Sequence, residues 1–362
     1  MSSSGILNAL PIIDIAPFLN FDPADAPKRE ATAAALHSAC VEYGFFYLNI
    51  KAYVDPSEPE ELARLAREFF ALPQEEKDML SLKNQDSARG YARLKENMTN
   101  GKADNHEGVD FYKPVDHPDK TKPVWGENQW PTIPGFKDKY DTWIENMKIL
   151  GLILMEAMSI GLGMTREEWQ DLRGQVDDSF WVMRIIGYPP LPNDHDGFSC
   201  GAHNFLYADP TPSALQVFLR RPGVFEADNS GLPLEQGQQE GIWINADPIP
   251  GCVVCNIGES EQFFAMLFQS SDLPQCGRSG QMGFTRSTLH RVVHRGSNYR
   301  IPFFFEPNFT ALVKPLAAVS RSREKEGKHQ ISEQVRKPVV YGDFLVNKVG
   351  NNFAVNGKGK YD

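Results

Sequence analysis

The chain has 362 residues, of which 41% are hydrophobic and 23% charged, and its formal net charge is −10 at pH 7. The hydrophobic fraction is ample for a large core and excludes wholesale disorder, while the acidic balance argues against a nucleic-acid-binding protein, which usually carries a basic stripe. An anionic cosubstrate remains compatible with this charge, because one buried arginine can bind it.

The amino terminus and the cysteine content predict a cytoplasmic protein in a reducing environment. Residues 1–18 lack the basic start and unbroken apolar core of a signal peptide. The apolar run at 149–155 is too short to span a bilayer. Five cysteines in a chain of this length are not typical of a disulfide framework. We expect a monomer with no membrane or nucleic-acid partner.

The amino-terminal region, residues 1–135, has an α/β pattern. Its first predicted elements are a strand at 11–15, a helix within 23–43 and a strand at 45–50. Ser57 and Glu60 predict a capping box for a second helix. Residues 85–135 are rich in Asn, Gly, Lys and Pro, so we expect long, mostly irregular loops there.

Bridging helices are predicted over residues 136–177. The longer one covers about 138–160, where apolar residues recur at steps of three and four. Thr165 and Glu168 predict a cap for a shorter one. Over 178–310 the pattern changes to short apolar runs separated by Pro and Gly, which is typical of a β-sandwich or jelly roll.

Four residues of the β-rich part are candidates for chemistry: His203, His290, Arg300 and Tyr188. Two histidines from different strands can meet at the open end of a jelly roll. With one carboxylate they would hold Fe(II) and leave positions open for a chelating 2-oxo acid and O₂. An arginine on a neighbouring strand would bind the far carboxylate of the oxo acid.

The order of short motifs along the chain is more specific than any one motif. "LPIIDIAPFL" and "ACVEYGFFYLNI" come first, then "MRIIGYPPL", "CGAH", "STLHRVVHRG" and "IPFFFEPNF", and finally "VVYGDFLVNKV". In this order they resemble the isopenicillin-N-synthase-like family of Fe(II)/2-oxoglutarate-dependent oxygenases. The resemblance implies a mainly β fold with flanking helices: a double-stranded β-helix (jelly roll) core at 178–310 after the α/β amino-terminal region, and a carboxy-terminal helix and tail within 311–362.

The resemblance also implies an activity and roles for the candidate residues. The activity is oxidation of a small organic substrate with Fe(II), O₂ and 2-oxoglutarate, which would be decarboxylated to succinate. His203 matches the first iron ligand and His290 the distal histidine. Arg300 matches the cosubstrate arginine, and Tyr188 matches a tyrosine that often helps to bind the oxo acid.

The iron motif departs from the family pattern, which is His-x-Asp. Here His203 is followed by Asn204 and Phe205, so the third, carboxylate ligand is missing. Asp209 is the nearest following acid, but six residues of extended strand span about 20 Å. We therefore expect that Asp209 is a poor substitute for the missing ligand.

Two further segments depart from the family. Residues 260–286 have little resemblance to it, and Pro302 stands where the family has the serine of Arg-x-Ser. One hypothesis is that the coding sequence was mis-assembled at intron boundaries, which sequencing of the transcript tests; the other is true degeneration. Three functions stay open: a 2-oxoglutarate-dependent oxygenase with a damaged motif, an inactive family member acting as a binding or scaffold protein, and a 2-oxoglutarate-independent oxidase.

Other polar motifs are expected to be structural. His117-Pro118-Asp119 is a literal His-x-Asp, but its polar, proline-rich surroundings predict a solvated loop. Cys252 and Cys255 form a lone CxxC in an apolar strand, which predicts buried packing on opposite faces and no zinc site. Arg184 is expected to pair with a carboxylate in the barrel or to flank Tyr188.

Overall fold

The structure is a computed structural model. It describes residues 9–20, 22–99, 102–190, 198–199, 205–220, 241–256, 288, 290–296, 298–319, 321 and 338–352. No helix within these ranges is both long enough and apolar enough to cross a membrane.

The helices predicted from the sequence form in the expected order, and a further short helix at Gln74–Asp78 was not predicted. They are α1 (Ala26–Glu42), α2 (Ser57–Phe70), α3 (Gln74–Asp78), α4 (Phe136–Gly161), α5 (Arg166–Arg173) and α6 (Tyr341–Asn352). Gly44 ends the turn after α1 with φ +66°, and a Cβ there would lie 2.5 Å from Thr288 Oγ1. The predicted capping box of Thr165 and Glu168 is confirmed at the start of α5.

The strands are short and concentrate in the second half of the chain. In chain order they are β1 (Ile12–Asp14), β2 (Phe45–Asn49), β3 (Gly90–Ala92), β4 (Met98–Thr99), β5 (Lys102–Ala103), β6 (Glu107–Tyr112), β7 (Val182–Tyr188), β8 (Phe198–Ser199), β9 (Phe205–Ala208), β10 (Leu215–Arg220), β11 (Gly241–Asn245), β12 (Cys252–Asn256), β13 (His290–Val293), β14 (Asn298–Phe304), β15 (Leu312–Val313) and β16 (Val339–Val340).

Two sheets form the body of the fold. The main sheet has the strand order β1-β2-β12-β9-β14-β7-β6-β3, and the smaller sheet has the order β11-β10-β13-β8. All pairs within them are antiparallel except β1 with β2. This is the arrangement that the short, punctuated apolar runs predict.

The two faces of the main sheet bury different partners, because successive side chains of a strand point to opposite faces. One face packs with α1, α2 and α4, through residues such as Leu48, Phe303 and Phe111. The other face, which we call the interior face, packs on the smaller sheet, as in the cluster of Tyr47 and Leu206 with apolar residues of β10 and β11. Cys255 and Cys252 divide between the two faces, as predicted.

The expectation of mostly irregular loops over residues 85–135 is wrong for β3 and β6. Every residue of β6 is buried, and β6 pairs with β7 along its whole length. Val109 and Phe111 join the core on the face of the main sheet that packs with the helices, which we call the helix face, while Asp110 occupies the interior face. The alternation of apolar and other residues in "GVDFY" is typical of a strand, but the polar residues around this segment obscure the pattern.

The predicted capping box of α2 is also wrong. Ser57 is the first helical residue and makes no capping bond. Instead, Asp55 accepts hydrogen bonds from the backbone N–H of Ser57 (2.9 Å) and from its hydroxyl (2.8 Å). In the predicted capping box the side chain of Glu60 would have accepted from the Ser57 backbone N–H, and Asp55 accepts from it instead.

Candidate active site

Arg300 occupies the middle of the interior face. It is the third residue of β14, and its neighbours across the sheet are Ile186 on β7 and Ala208 on β9. Only 2% of its surface is exposed. Because β14 is hydrogen-bonded on both sides, the position of this arginine is fixed by two ladders.

The Arg300 guanidinium is buried without an anionic partner among the residues that the structure describes. Its Nε and Nη1 have no hydrogen-bond acceptor there. Burial lowers the pKa of Arg300, and the nearby Tyr188 and Asp209 oppose that effect. An arginine nevertheless stays protonated in proteins, and a buried unpaired cation is costly. The side chain therefore suits a ligand carboxylate, which a guanidinium binds through two parallel hydrogen bonds.

Tyr188 and Asn298 add polar atoms next to this arginine. Tyr188 is the last residue of β7 and pairs with Asn298 across the sheet, and each is 1% exposed. In the described part of the chain, neither the amide nitrogen nor the amide oxygen of Asn298 has a partner. Buried polar atoms are rarely left unsatisfied, so Asn298, which the sequence motifs did not single out, also suits a polar ligand.

His290 begins β13 in the smaller sheet. Its Nδ1 lies 3.0 Å from the carbonyl oxygen of Thr288, and its ring meets Phe45 edge-on with 5.1 Å between centroids. A carbonyl oxygen only accepts, so we assign the proton of the neutral ring to Nδ1. Nε2 then carries the lone pair. Histidines that bind a metal have the same arrangement: one ring nitrogen binds the metal, and the other donates a hydrogen bond that orients the ring.

The other two residues considered as metal ligands in the sequence are His203 and Asp209. His203 lies outside the described residues. Asp209 is 7% exposed, and its carboxylate accepts bonds from the Thr211 hydroxyl (2.7 Å) and from the Tyr299 backbone N–H (3.0 Å). These bonds stabilise the turn after β9. Among the described residues, no three His, Cys, Asp or Glu side chains come together as a metal site.

The interior face carries a second polar group, of which the sequence had singled out only Arg184. Arg184 Nε donates to Asp110 Oδ1 at 2.6 Å, which joins β7 to β6. His106 precedes β6, and its ring lies 5.7 Å from that of Tyr188. Burial, with a smaller contribution from the Arg184 charge, lowers the pKa of His106 to about 3, so its imidazole is neutral. The sequence had left open whether Arg184 pairs with a carboxylate, and it does.

Comparisons with known proteins find relatives that match most of the chain. Residues 10–133 match the family described as non-haem dioxygenase in morphine synthesis, N-terminal. A homoarginine-6-hydroxylase of Arabidopsis thaliana is 35% identical over 355 residues, which cover 95% of this chain and 89% of the relative. A homoarginine-6-hydroxylase of Oryza sativa is 34% identical over 361 residues, which cover 96% and 98%.

Solved structures show the same fold at lower identity. A full-length protein of Neurospora crassa, solved in complex with alpha-KG, has a TM-score of 0.69 at 22% identity and covers 97% of this chain and 98% of its own. A dioxygenase for auxin oxidation from rice has a TM-score of 0.60 at 15% identity, with 98% of both chains covered. These likenesses confirm the predicted jelly-roll core with flanking helices.

Proposed function

Because this chain belongs to the Fe(II)/2-oxoglutarate-dependent oxygenase family, we propose that it hydroxylates a free amino acid. Two relatives that share about a third of their residues with this chain are named as homoarginine-6-hydroxylases. We therefore take a basic amino acid as the substrate class. Fe(II), 2-oxoglutarate and O₂ supply the oxidising chemistry when they are bound.

The single observation that carries the proposal is the buried guanidinium of Arg300. A 2-oxoglutarate molecule has a free carboxylate at the end opposite to its chelating oxo-acid group. Arg300 would bind that carboxylate, with Tyr188 and Asn298 donating or accepting further hydrogen bonds beside it. Arg300 is only 2% exposed, and burial away from water strengthens each of these charge-assisted bonds.

His290 and His203 are the residues that we propose for the metal. The Thr288 carbonyl oxygen fixes the ring of His290 so that Nε2 is the ligating atom. Phe205 stands where the family has its aspartate, which leaves two neutral ligands. Since losses in the surroundings of a metal site already reduce affinity about 10- to 100-fold, we expect the chain as written to bind Fe(II) weakly.

Two measurements on the purified chain test this function against its alternatives: iron content, and succinate release on addition of 2-oxoglutarate and L-homoarginine. Iron with substrate-dependent succinate release supports the proposal. No retained iron and no succinate favour a binding or scaffold protein. Iron with oxidised substrate but no succinate favours an oxidase that does not use 2-oxoglutarate.

A further inference from the structure

We propose that the Asp110–Arg184 ion pair is the subsite that binds the zwitterionic headgroup of the amino-acid substrate. Asp110 would receive the α-ammonium group and Arg184 the α-carboxylate. This inference rests on the proposed function, because it places the substrate on the same interior face as the cosubstrate arginine.

The position of the pair follows from the strand register. Arg184 lies two residues along β7 from Ile186, and Ile186 is the direct neighbour of Arg300. Two residues of a strand span roughly 7 Å and return to the same face. The pair and Arg300 therefore lie close together on the interior face.

The pair is reachable from solvent although it is deep in the fold. Arg184 keeps 25% of its side-chain surface accessible and Asp110 keeps 11%. Burial is still the largest influence on the pKa of Arg184, and the combined attraction of Asp110 and its neighbours outweighs it, so that pKa is raised. The direct contact uses only Nε of Arg184 and Oδ1 of Asp110. The terminal guanidinium nitrogens and Oδ2 lie outside that contact.

Stability alone is a weak reason for this ion pair. Desolvation of two charges offsets much of their attraction, so apolar replacements of buried pairs are often neutral or stabilising. Lys77 and Glu107 provide a comparison at the start of β6, on the helix face. That pair is only 8% and 12% accessible, and Glu107 also accepts a hydrogen bond from Tyr91 (2.5 Å). It is a closed structural network, whereas Arg184 retains an accessible surface.

The net charges of the two binding positions distinguish the amino-acid substrate from 2-oxoglutarate. The charge of Arg184 is already balanced by Asp110, so the pair presents one positive and one negative group side by side, which complements a zwitterion. Arg300 has no such counter-ion among the described residues, so it is the better partner for the dianionic oxo acid. Gly108 separates Asp110 from His106 on the interior side of β6 and presents no side chain over the intervening space.

The test combines two substitutions with three ligands, using isothermal titration calorimetry on the full chain with 2-oxoglutarate and Mn(II), which does not require turnover. The ligands are L-homoarginine, its Nα-acetyl derivative and its decarboxylated analogue. Asp110→Asn should weaken L-homoarginine binding about 10- to 100-fold and abolish discrimination against the acetyl derivative. Arg184→Gln should abolish discrimination against the decarboxylated analogue.

Glu107→Gln is the matched control, because it neutralises a buried acid of the same strand on the opposite face. It should change thermal stability without changing ligand preference. A folded Asp110→Asn protein that weakens all three ligands equally, or that binds them as the unsubstituted chain does, overturns the inference. If the unsubstituted chain binds L-homoarginine and both substitutions leave its ligand preference unchanged, this inference alone is overturned, whereas failure of the unsubstituted chain to bind 2-oxoglutarate or L-homoarginine contradicts the proposed function itself.

Discussion

The guanidinium carbon of Arg300 lies 6.0 Å from the ring centre of Tyr188, and both side chains are almost fully buried on the interior face of the main sheet. The tyrosine ring partly compensates the charge of the arginine, as aromatic faces do for cations at this distance. It does not supply the two acceptors that a guanidinium fork requires. The pair is thus arranged for a ligand that brings a carboxylate.

Arg300→Met should separate ligand binding from stability. Removal of a charge-assisted, bidentate interaction should weaken 2-oxoglutarate binding at least about tenfold. The free energy of unfolding should stay the same or rise, because the substitution removes a buried charge that lacks a counter-ion among the described residues. Calorimetric titration and thermal denaturation measure the two effects.

Arg64→Met is the control for Arg300→Met, because Arg64 is an exposed arginine of α2 that pairs with Glu61 and Glu68. It should leave 2-oxoglutarate affinity unchanged. A strongly destabilised Arg300→Met protein would contradict the assignment, because it would mean that the arginine serves the fold and not a ligand.

His290→Gln should reduce the metal content of the protein by at least about tenfold, since even indirect support of a metal ligand is worth about 10- to 100-fold in affinity. Metal analysis after dialysis against Fe(II) under anaerobic conditions measures this. His117→Gln, in the exposed His-Pro-Asp segment, is the matched control and should retain the metal content of the unsubstituted chain. Equal metal content in both variants would show that His290 is not a metal ligand.

His106 should make the protein less stable in acid. Its pKa is about 3 in the folded chain against 6.5 for an ordinary histidine, so between these values the unfolded chain binds the extra proton. Stability is fully present above pH 6.5 and falls as the pH decreases towards 3, by at most about 1.4 kcal/mol per pH unit.

Denaturant titrations at several pH values between about 4 and 7 test this contribution. His106→Gln should flatten the dependence of the unfolding free energy on pH in that window, and His117→Gln should not. An unchanged slope in His106→Gln would show that other groups cause the acid sensitivity.

Repair of the iron motif should raise metal affinity. Replacement of Phe205 by Asp restores His-x-Asp but puts a carboxylate in place of the first residue of β9, so insertion of the family's missing segment directly after His203 is the better variant. We expect at least about a tenfold gain in Fe(II) retention, together with succinate release. An insertion of the same length that carries Asn in place of Asp is the control.

The same repair, together with the transcript sequence, tests how the segment after His203 came to be missing. If the transcript encodes the longer segment, the written chain is an incomplete copy of an active enzyme. If the transcript matches the written chain and the repaired protein gains activity, the loss is a genuine degeneration. Equal iron content before and after repair would show that the missing aspartate was not the cause of weak binding.

Much of this fold could be predicted from the order of local patterns. The capping box at Thr165, the amphipathic repeat of α4 and the apolar runs of β7, β10, β12 and β14 are local features, and the structure forms each of these elements. The strand β6 was missed because a strand inside a sheet is identified by its partners, and "GVDFY" acquires them only when β7 is placed beside it.

For the site, the sequence by itself determined the chemical types: an arginine, a tyrosine, two histidines and a missing aspartate. Only the tertiary structure decided which polar groups share a face. It placed Asp110 against Arg184 across 74 positions of chain, set Asn298 beside Tyr188, and tied Asp209 into the turn after β9. The reason is physical: side-chain type and strand alternation are local properties, whereas burial, unsatisfied polar atoms and ion pairing exist only after distant strands have paired.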